Sequence, residues 1–159
     1  MKAKTKMAFY TLLFVSGLLL VYLYWLSMRP VEIVAAHHRS SSFSDILVRN
    51  FPFTDRGRIA WWLKNKEMLK EKYNVPNPNP DGSFYLNVWL FGDGYKEVGK
   101  YDRLCFEDMK TKKNCIEKDI VFTVSYSKNM GAMFEAYDGT YRLQKNGEVV
   151  KYVDHYEVW

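Results

Sequence analysis

Residues 7–28 read MAFYTLLFVSGLLLVYLYWLSM, an apolar run without one charged side chain. No other feature of the chain restricts its fold so much. About 22 residues at 1.5 Å rise make a helix of roughly 33 Å, enough to cross the hydrocarbon core of a bilayer. Lys2, Lys4 and Lys6 precede the run, and Arg29 and Pro30 follow it. Tyr22, Tyr24 and Trp25 cluster toward its far end and Phe9 and Tyr10 toward its start, where amphipathic rings favour the membrane interface. The basic N-terminal flank predicts residues 1–6 in the cytoplasm, one span over 7–28, and residues 31–159 outside. In a Gram-negative cell this describes a single-pass inner-membrane protein with a periplasmic domain.

A cleaved signal peptide is the competing reading. Its apolar core runs to about 7–15 residues and ends at a small-residue cleavage site. Here the run is longer, and Tyr24-Trp25-Leu26-Ser27-Met28-Arg29-Pro30 is a poor site. Val34-Ala35-Ala36 lies beyond Arg29 and Pro30. An uncleaved anchor is the expectation. No Cys follows the run, which excludes a lipoprotein.

The charge confirms where chemistry should not be sought. The chain has a formal net charge of +5, which invites nucleic acid as a partner. Four of the 23 basic residues flank the apolar run, leaving 19 against 18 acidic residues from position 31 onward. The excess belongs to the anchor and speaks about topology. The bilayer, through residues 7–28, and another protein are the expected partners; nucleic acid is not.

Beyond residue 31 the pattern reads as one small α+β domain. Residues 31–37 and 45–49 are β-prone runs separated by a serine loop over 40–44. Thr54 is a helix N-cap with Asp55 in the first turn, and residues 55–73 follow as the main helix. Ile59, Trp62, Leu63 and Leu69 give it an apolar side, with lysines and glutamates opposite. Residues 76–82 hold Pro76, Pro78, Pro80 and Gly82, which stop the helix and turn the chain. From Phe84 the period becomes two: Phe84, Leu86, Val88 and Leu90 face one way, and Tyr85, Asn87, Trp89 and Phe91 the other. Gly92-Asp93-Gly94 predicts a hairpin into a return strand over 95–106, with Gly99 a bulge. A strand over 116–126 follows. Short strands over 132–137, 140–144 and 148–153 are joined at Asp138-Gly139 and Asn146-Gly147, both strong hairpin signals. The sum is one helix on an antiparallel meander of five or six strands.

Cys105 and Cys115 are the only two cysteines. In an oxidising compartment they can pair, stapling the hairpin of the second and third meander strands. Two buried thiols and a metal site are the alternatives. The absence of Cys-x-x-Cys leaves a thioredoxin-like role without support.

No catalytic residue, metal site or cofactor emerges from the motifs. His37 and His38 are adjacent, with no acid nearby in sequence, and read like His155 as solvated loop residues. No nucleophile elbow accompanies Ser40, Ser41, Ser42 and Ser44. Gly92-Asp93-Gly94 lacks the third glycine, lysine and helix of a phosphate loop. Asp102, Glu107 and Asp108 are the only carboxylates that suggest an acid/base pair, and they lie among lysines. The expectation is a protein without enzymatic activity. The candidate interface is Tyr85, Trp89 and Phe91, left open if the helix covers only the other face. Residues 31–53 could instead cover them.

Several runs resemble a family of uncharacterised enterobacterial single-pass inner-membrane proteins: residues 44–57 (SDILVRNFPFTDRG), Trp61-Trp62 with Lys64-Asn65-Lys66, residues 91–97 (FGDGYKE), and residues 100–118 (KYDRLCFEDMKTKKNCIEK). The resemblance covers most of the chain. It implies an inner-membrane, periplasm-facing protein and supplies no catalytic residues. A stapled domain with aromatic surface and no catalytic motif reads as a protein-binding module, and the resemblance motivates its most concrete form, an immunity protein against an envelope-targeted toxin. A structural or accessory subunit of an envelope complex is the alternative, and an envelope enzyme ranks third.

Overall fold

In a computed structural model the chain is described over residues 2–39 and 42–153, and it divides into two units that meet between Pro30 and Val31. Ser40, Ser41 and His155 lie outside the described residues.

The first unit is helix α1, Lys2–Ser27. Its stretch Lys6–Leu26 is 21 residues long, apolar enough to cross a membrane, and none of it is buried. A helix apolar on all sides has no wet face to give to water, so lipid is its natural solvent.

The second unit holds β1 (Glu32–His38), β2 (Phe43–Arg49), α2 (Asp55–Tyr73), β3 (Phe84–Leu90), β4 (Lys96–Glu97), β5 (Arg103–Cys105), β6 (Lys113–Glu117), β7 (Ile120–Ser127), β8 (Gly131–Ala136), β9 (Gly139–Leu143) and β10 (Val149–Lys151). The main sheet has seven strands in the order β1-β2-β3-β7-β8-β9-β10. All neighbours are antiparallel except β2 and β3, which run parallel. Parallel neighbours need a crossover, and α2 supplies it. A separate three-stranded sheet, β4-β6-β5, is inserted between β3 and β7. The expected α+β class and the mostly antiparallel sheet are both present.

Helix α2 is specified at both ends. Thr54 has extended backbone, and its Oγ1 accepts from the Gly57 N–H at 3.1 Å. Asn74 closes the helix in the left-handed conformation at φ 54°, its N–H reaching the Lys70 carbonyl while the Val75 N–H reaches that of Leu69. Asn is one of the few residues that adopts this cap at low cost. Ile59, Trp62 and Leu69 then pack on Ile46, Val48, Leu86, Val88, Phe122, Val124 and Phe134 of the sheet. Asp55, buried at the helix start, accepts from the N–H groups of Tyr137 and Asp138 and from the Tyr141 hydroxyl.

Three strand expectations are corrected. Gly92-Asp93-Gly94 does turn the chain, with the Gly94 N–H on the Phe91 carbonyl at 2.9 Å, but it does not build a hairpin on β3. Both edges of β3 are already taken, by β2 and β7. The expected return strand over 95–106 is reduced to β4 and β5, which pair with β6 instead. The expected strand over 116–126 splits into β6 and β7 at a tight turn, where the Asp119 N–H bonds the Glu117 carbonyl at 3.0 Å. The two halves therefore serve different sheets.

Candidate functional site

The sheet has two buried faces with different chemistry. The face of Leu47, Trp89 and Phe91 packs under Leu104, Phe106 and Ile116 of the small sheet. This corrects the candidate interface. Trp89 and Phe91 are buried, Tyr85 is half-buried and tilts against the exposed Phe43. The cover comes mainly from residues 104–116, with Val34 and Ala35 of β1 at its margin.

Polar groups are sealed within this layer. Asp45 is 1% exposed, and its Oδ1 accepts from Trp89 Nε1 at 2.7 Å and Asn87 Nδ2 at 3.1 Å. Thr123 Oγ1 donates to Asn87 Oδ1. Arg39 Nε stands 2.9 Å from Asp45 Oδ2, yet that oxygen has no aligned hydrogen bond, so the contact is an ion pair alone.

His37 is the larger surprise. It lies on β1, buried, stacked on Phe106 with ring centroids 3.9 Å apart. Its Nδ1 is 2.8 Å from Asp108 Oδ2 and its Nε2 is 2.8 Å from the Tyr95 hydroxyl. The expectation of a solvated loop histidine is corrected for His37, while His38 is exposed. A register shift between Ile33 and Ala35 explains the placement. Side chains alternate with period two, so one extra residue moves everything after it to the other face. Ile33 packs in the α2 layer, Val34 and Ala35 both pack in the small-sheet layer, and His37 follows them there. The Tyr95 hydroxyl is held above its ordinary pKa, first by burial and then by the charge of Asp108.

Asp102 and Glu107 do not join this cluster. Asp102 pairs with Lys118 at 2.6 Å. Glu107 and Asp108 border a cavity of about 280 Å³ with His38, Arg39, Cys105 and Phe106. Cys105 and Cys115 are bonded to each other, at directly opposed positions of β5 and β6. Among the described residues no group of three or more His, Cys, Asp or Glu side chains is placed to hold a metal ion.

The α2 face carries an opening of another kind. One helix is about 10 Å wide, whereas seven strands spaced about 4.8 Å apart put the outer pair roughly 29 Å from each other. Helix α2 therefore cannot roof the whole sheet. Beside it runs an apolar groove of about 450 Å³ floored by Trp62, Phe84, Val124, Phe134 and Leu143, with Lys66, Glu67 and Lys70 on its rim. A second recess of about 430 Å³ continues past the shared Leu63 to Ile59, Tyr141 and Val149. The sequence named several of these residues as core. It gave no sign that Leu143 and Val149, on β9 and β10, would be left only half-buried beside the helix.

An apolar helix of membrane-spanning length and a folded α+β domain together define a single-pass, membrane-anchored protein. The match to known families agrees: residues 2–153 fit the family described as "Enterobacterial putative membrane protein (DUF943)", and the chain belongs to that family, for which no function is assigned. No curated protein and no solved structure matches the chain.

Proposed function

We propose that this protein is a single-pass inner-membrane protein whose periplasmic domain binds another protein through the groove beside α2. The observation that carries the reading is the apolar groove itself, where Leu63, Phe84 and Leu143 are only partly covered. Apolar recesses with a polar rim are the usual form of a protein-recognition site. Phe84, Leu63 and Leu143 offer partly exposed apolar side chains to a partner, and Lys66 and Lys70 favour a partner segment that carries carboxylates beside its apolar residues. Lys2, Lys4 and Lys6 before the span support the topology, and the disulfide suits an oxidising compartment.

A binding role is preferred to a catalytic one. His37 is buried and stacked on Phe106 between Asp108 and Tyr95, a placement that favours a structural tie between β1 and the small-sheet layer over a base. In its most concrete form the domain is an immunity protein that captures an envelope-targeted toxin.

The test is a growth competition between a deletion strain and its parent, crowded on a surface and dilute in liquid. Loss of the mutant only under contact is expected, restored by the gene but not by a Leu63→Glu version that reaches the membrane at normal level. Equal fitness in both settings would remove the immunity reading. Full rescue by Leu63→Glu would remove the groove.

A further inference from the structure

The register of the main sheet sorts its residues by end. Glu32 opposes Arg49, Val48 opposes Leu90, Trp89 opposes Ile120, and Ala136 opposes Gly139. Tyr152 bonds the Thr140 carbonyl, which brings Val153 to the same end. The chain enters the domain there, at Glu32. Only residues 28–31 separate the last residue of α1 from β1. Five peptide links reach at most about 18 Å, so Glu32, the first residue of β1, stays within that distance of the last residue of α1.

That end is also where the exposed apolar tips stand. Tyr137 is 87% exposed, Phe53 76%, Val153 65% and Ile120 49%. At the opposite end Phe43, Tyr126 and Met130 are 45%, 38% and 36% exposed. Phe53 lies in the turn between β2 and α2, Tyr137 in the β8–β9 turn, and Ile120 at the first residue of β7. These are separate tips on loops held by buried ties: Arg58 bonds the carbonyls of Pro52 and Val121, and Asp55 bonds Tyr137 and Asp138. Large side chains held rigidly and aimed outward lose little entropy on insertion, and aromatic rings favour the headgroup boundary. Charges nearby carry both signs, with Arg56 and Lys151 beside Asp119 and Asp138, so adhesion rests on the apolar tips.

We propose that this end of the domain is a lipid-docking surface, with Phe53, Tyr137 and Ile120 seated in the headgroup layer of the same bilayer that holds α1. The inference needs the membrane anchor but not the protein-binding reading, and the two fail separately.

The test uses the full chain in vesicles of phosphatidylethanolamine and phosphatidylglycerol. The photo-cross-linker p-benzoylphenylalanine replaces Phe53 or Tyr137 and, as controls, Phe43 or Tyr126. Lipid adducts several-fold more abundant at 53 and 137 than at 43 and 126 are expected. Doubling Phe53→Ser with Ile120→Ser should lower the yield at 137 while the far-ultraviolet spectrum stays unchanged. Equal labelling at both ends, adducts to a second copy or another protein in place of lipid, or no lipid adduct at 53 and 137 would overturn the proposal.

Discussion

His37 shows how much a single side chain can hide from its own neighbours in sequence. Its partner Asp108 is 71 positions away, so no local pattern marks the pair. The one clue is the bulge in β1, and a bulge leaves no signature in Val31-Glu32-Ile33-Val34-Ala35-Ala36. Replacing His37 by Ala would strand the Tyr95 hydroxyl and Asp108 and open a gap against Phe106. A loss of about 2–3 kcal/mol is expected, read as a lower urea midpoint at constant slope. Asp108→Ala should cost less, because the carboxylate is 42% exposed and water replaces its role. Asp45 offers a sharper contrast. Asp45→Ala leaves the buried donors of Trp89 and Asn87 without an acceptor and is expected to cost about 3 kcal/mol. Asp45→Asn keeps an acceptor oxygen for Trp89 and should be distinctly milder in the same urea melt.

Helix α2 was legible at the level of an element because its signals are local. Thr54 caps it, lysines fill its last turn, and proline and glycine follow. The hairpins at Asp138-Gly139 and Asn146-Gly147 were legible for the same reason. The pairing of β2 with β3 was not, since parallel neighbours meet only after a crossover and their hydrophobic runs fit several orders of strands. The glycine inside α2 yields a test. Gly→Ala in a helix normally gains about 1 kcal/mol. At Gly57 a Cβ would lie 2.9 Å from Thr54 Oγ1 and 3.0 Å from Pro52 Cβ, so it would push the cap aside. Gly57→Ala is therefore expected to lower the melting temperature. The small sheet yields another. Glu117 is held below its ordinary carboxylate pKa by hydrogen bonds from Lys96 and then Arg103, on the two strands that flank β6. A depressed folded pKa contributes stability above the unfolded pKa and loses it as pH falls through the folded one. The stability difference between wild type and Glu117→Gln should be steady near neutral pH and vanish below the carboxylate range, as followed by denaturant melts at stepped pH.

For the whole molecule, the division into anchor and domain was readable from residues 7–28 alone, and the α+β class from the change of period at Phe84. What composition and period could not convey was a second layer. Trp89 and Phe91 looked like an open face because the residues that roof them read as further strands of the same meander, over 95–106 and 116–126, with a charged loop between. The disulfide and the ion pairs of Lys96, Arg103 and Glu117 add to its strand pairing and to the packing of Leu104, Phe106 and Ile116 in holding that stretch as a sheet. Replacing Cys105 and Cys115 by Ser should cost about 3 kcal/mol in the chain-entropy view of a ten-residue closure. Amide exchange should then rise first in β5 and β6, ahead of the seven-stranded sheet. The order of the strands has one more consequence, for biosynthesis. The interior strand β3 takes one neighbour from upstream and the other, β7, from residues that end at Ser127. A chain made from its N-terminus therefore delivers β1, β2 and β3 with an unpaired edge and holds them so until most of the domain has been synthesised. Such a nascent chain is a natural client for holding chaperones, and a truncation before Ser127 should be cleared by proteolysis rather than accumulate as a shorter folded form.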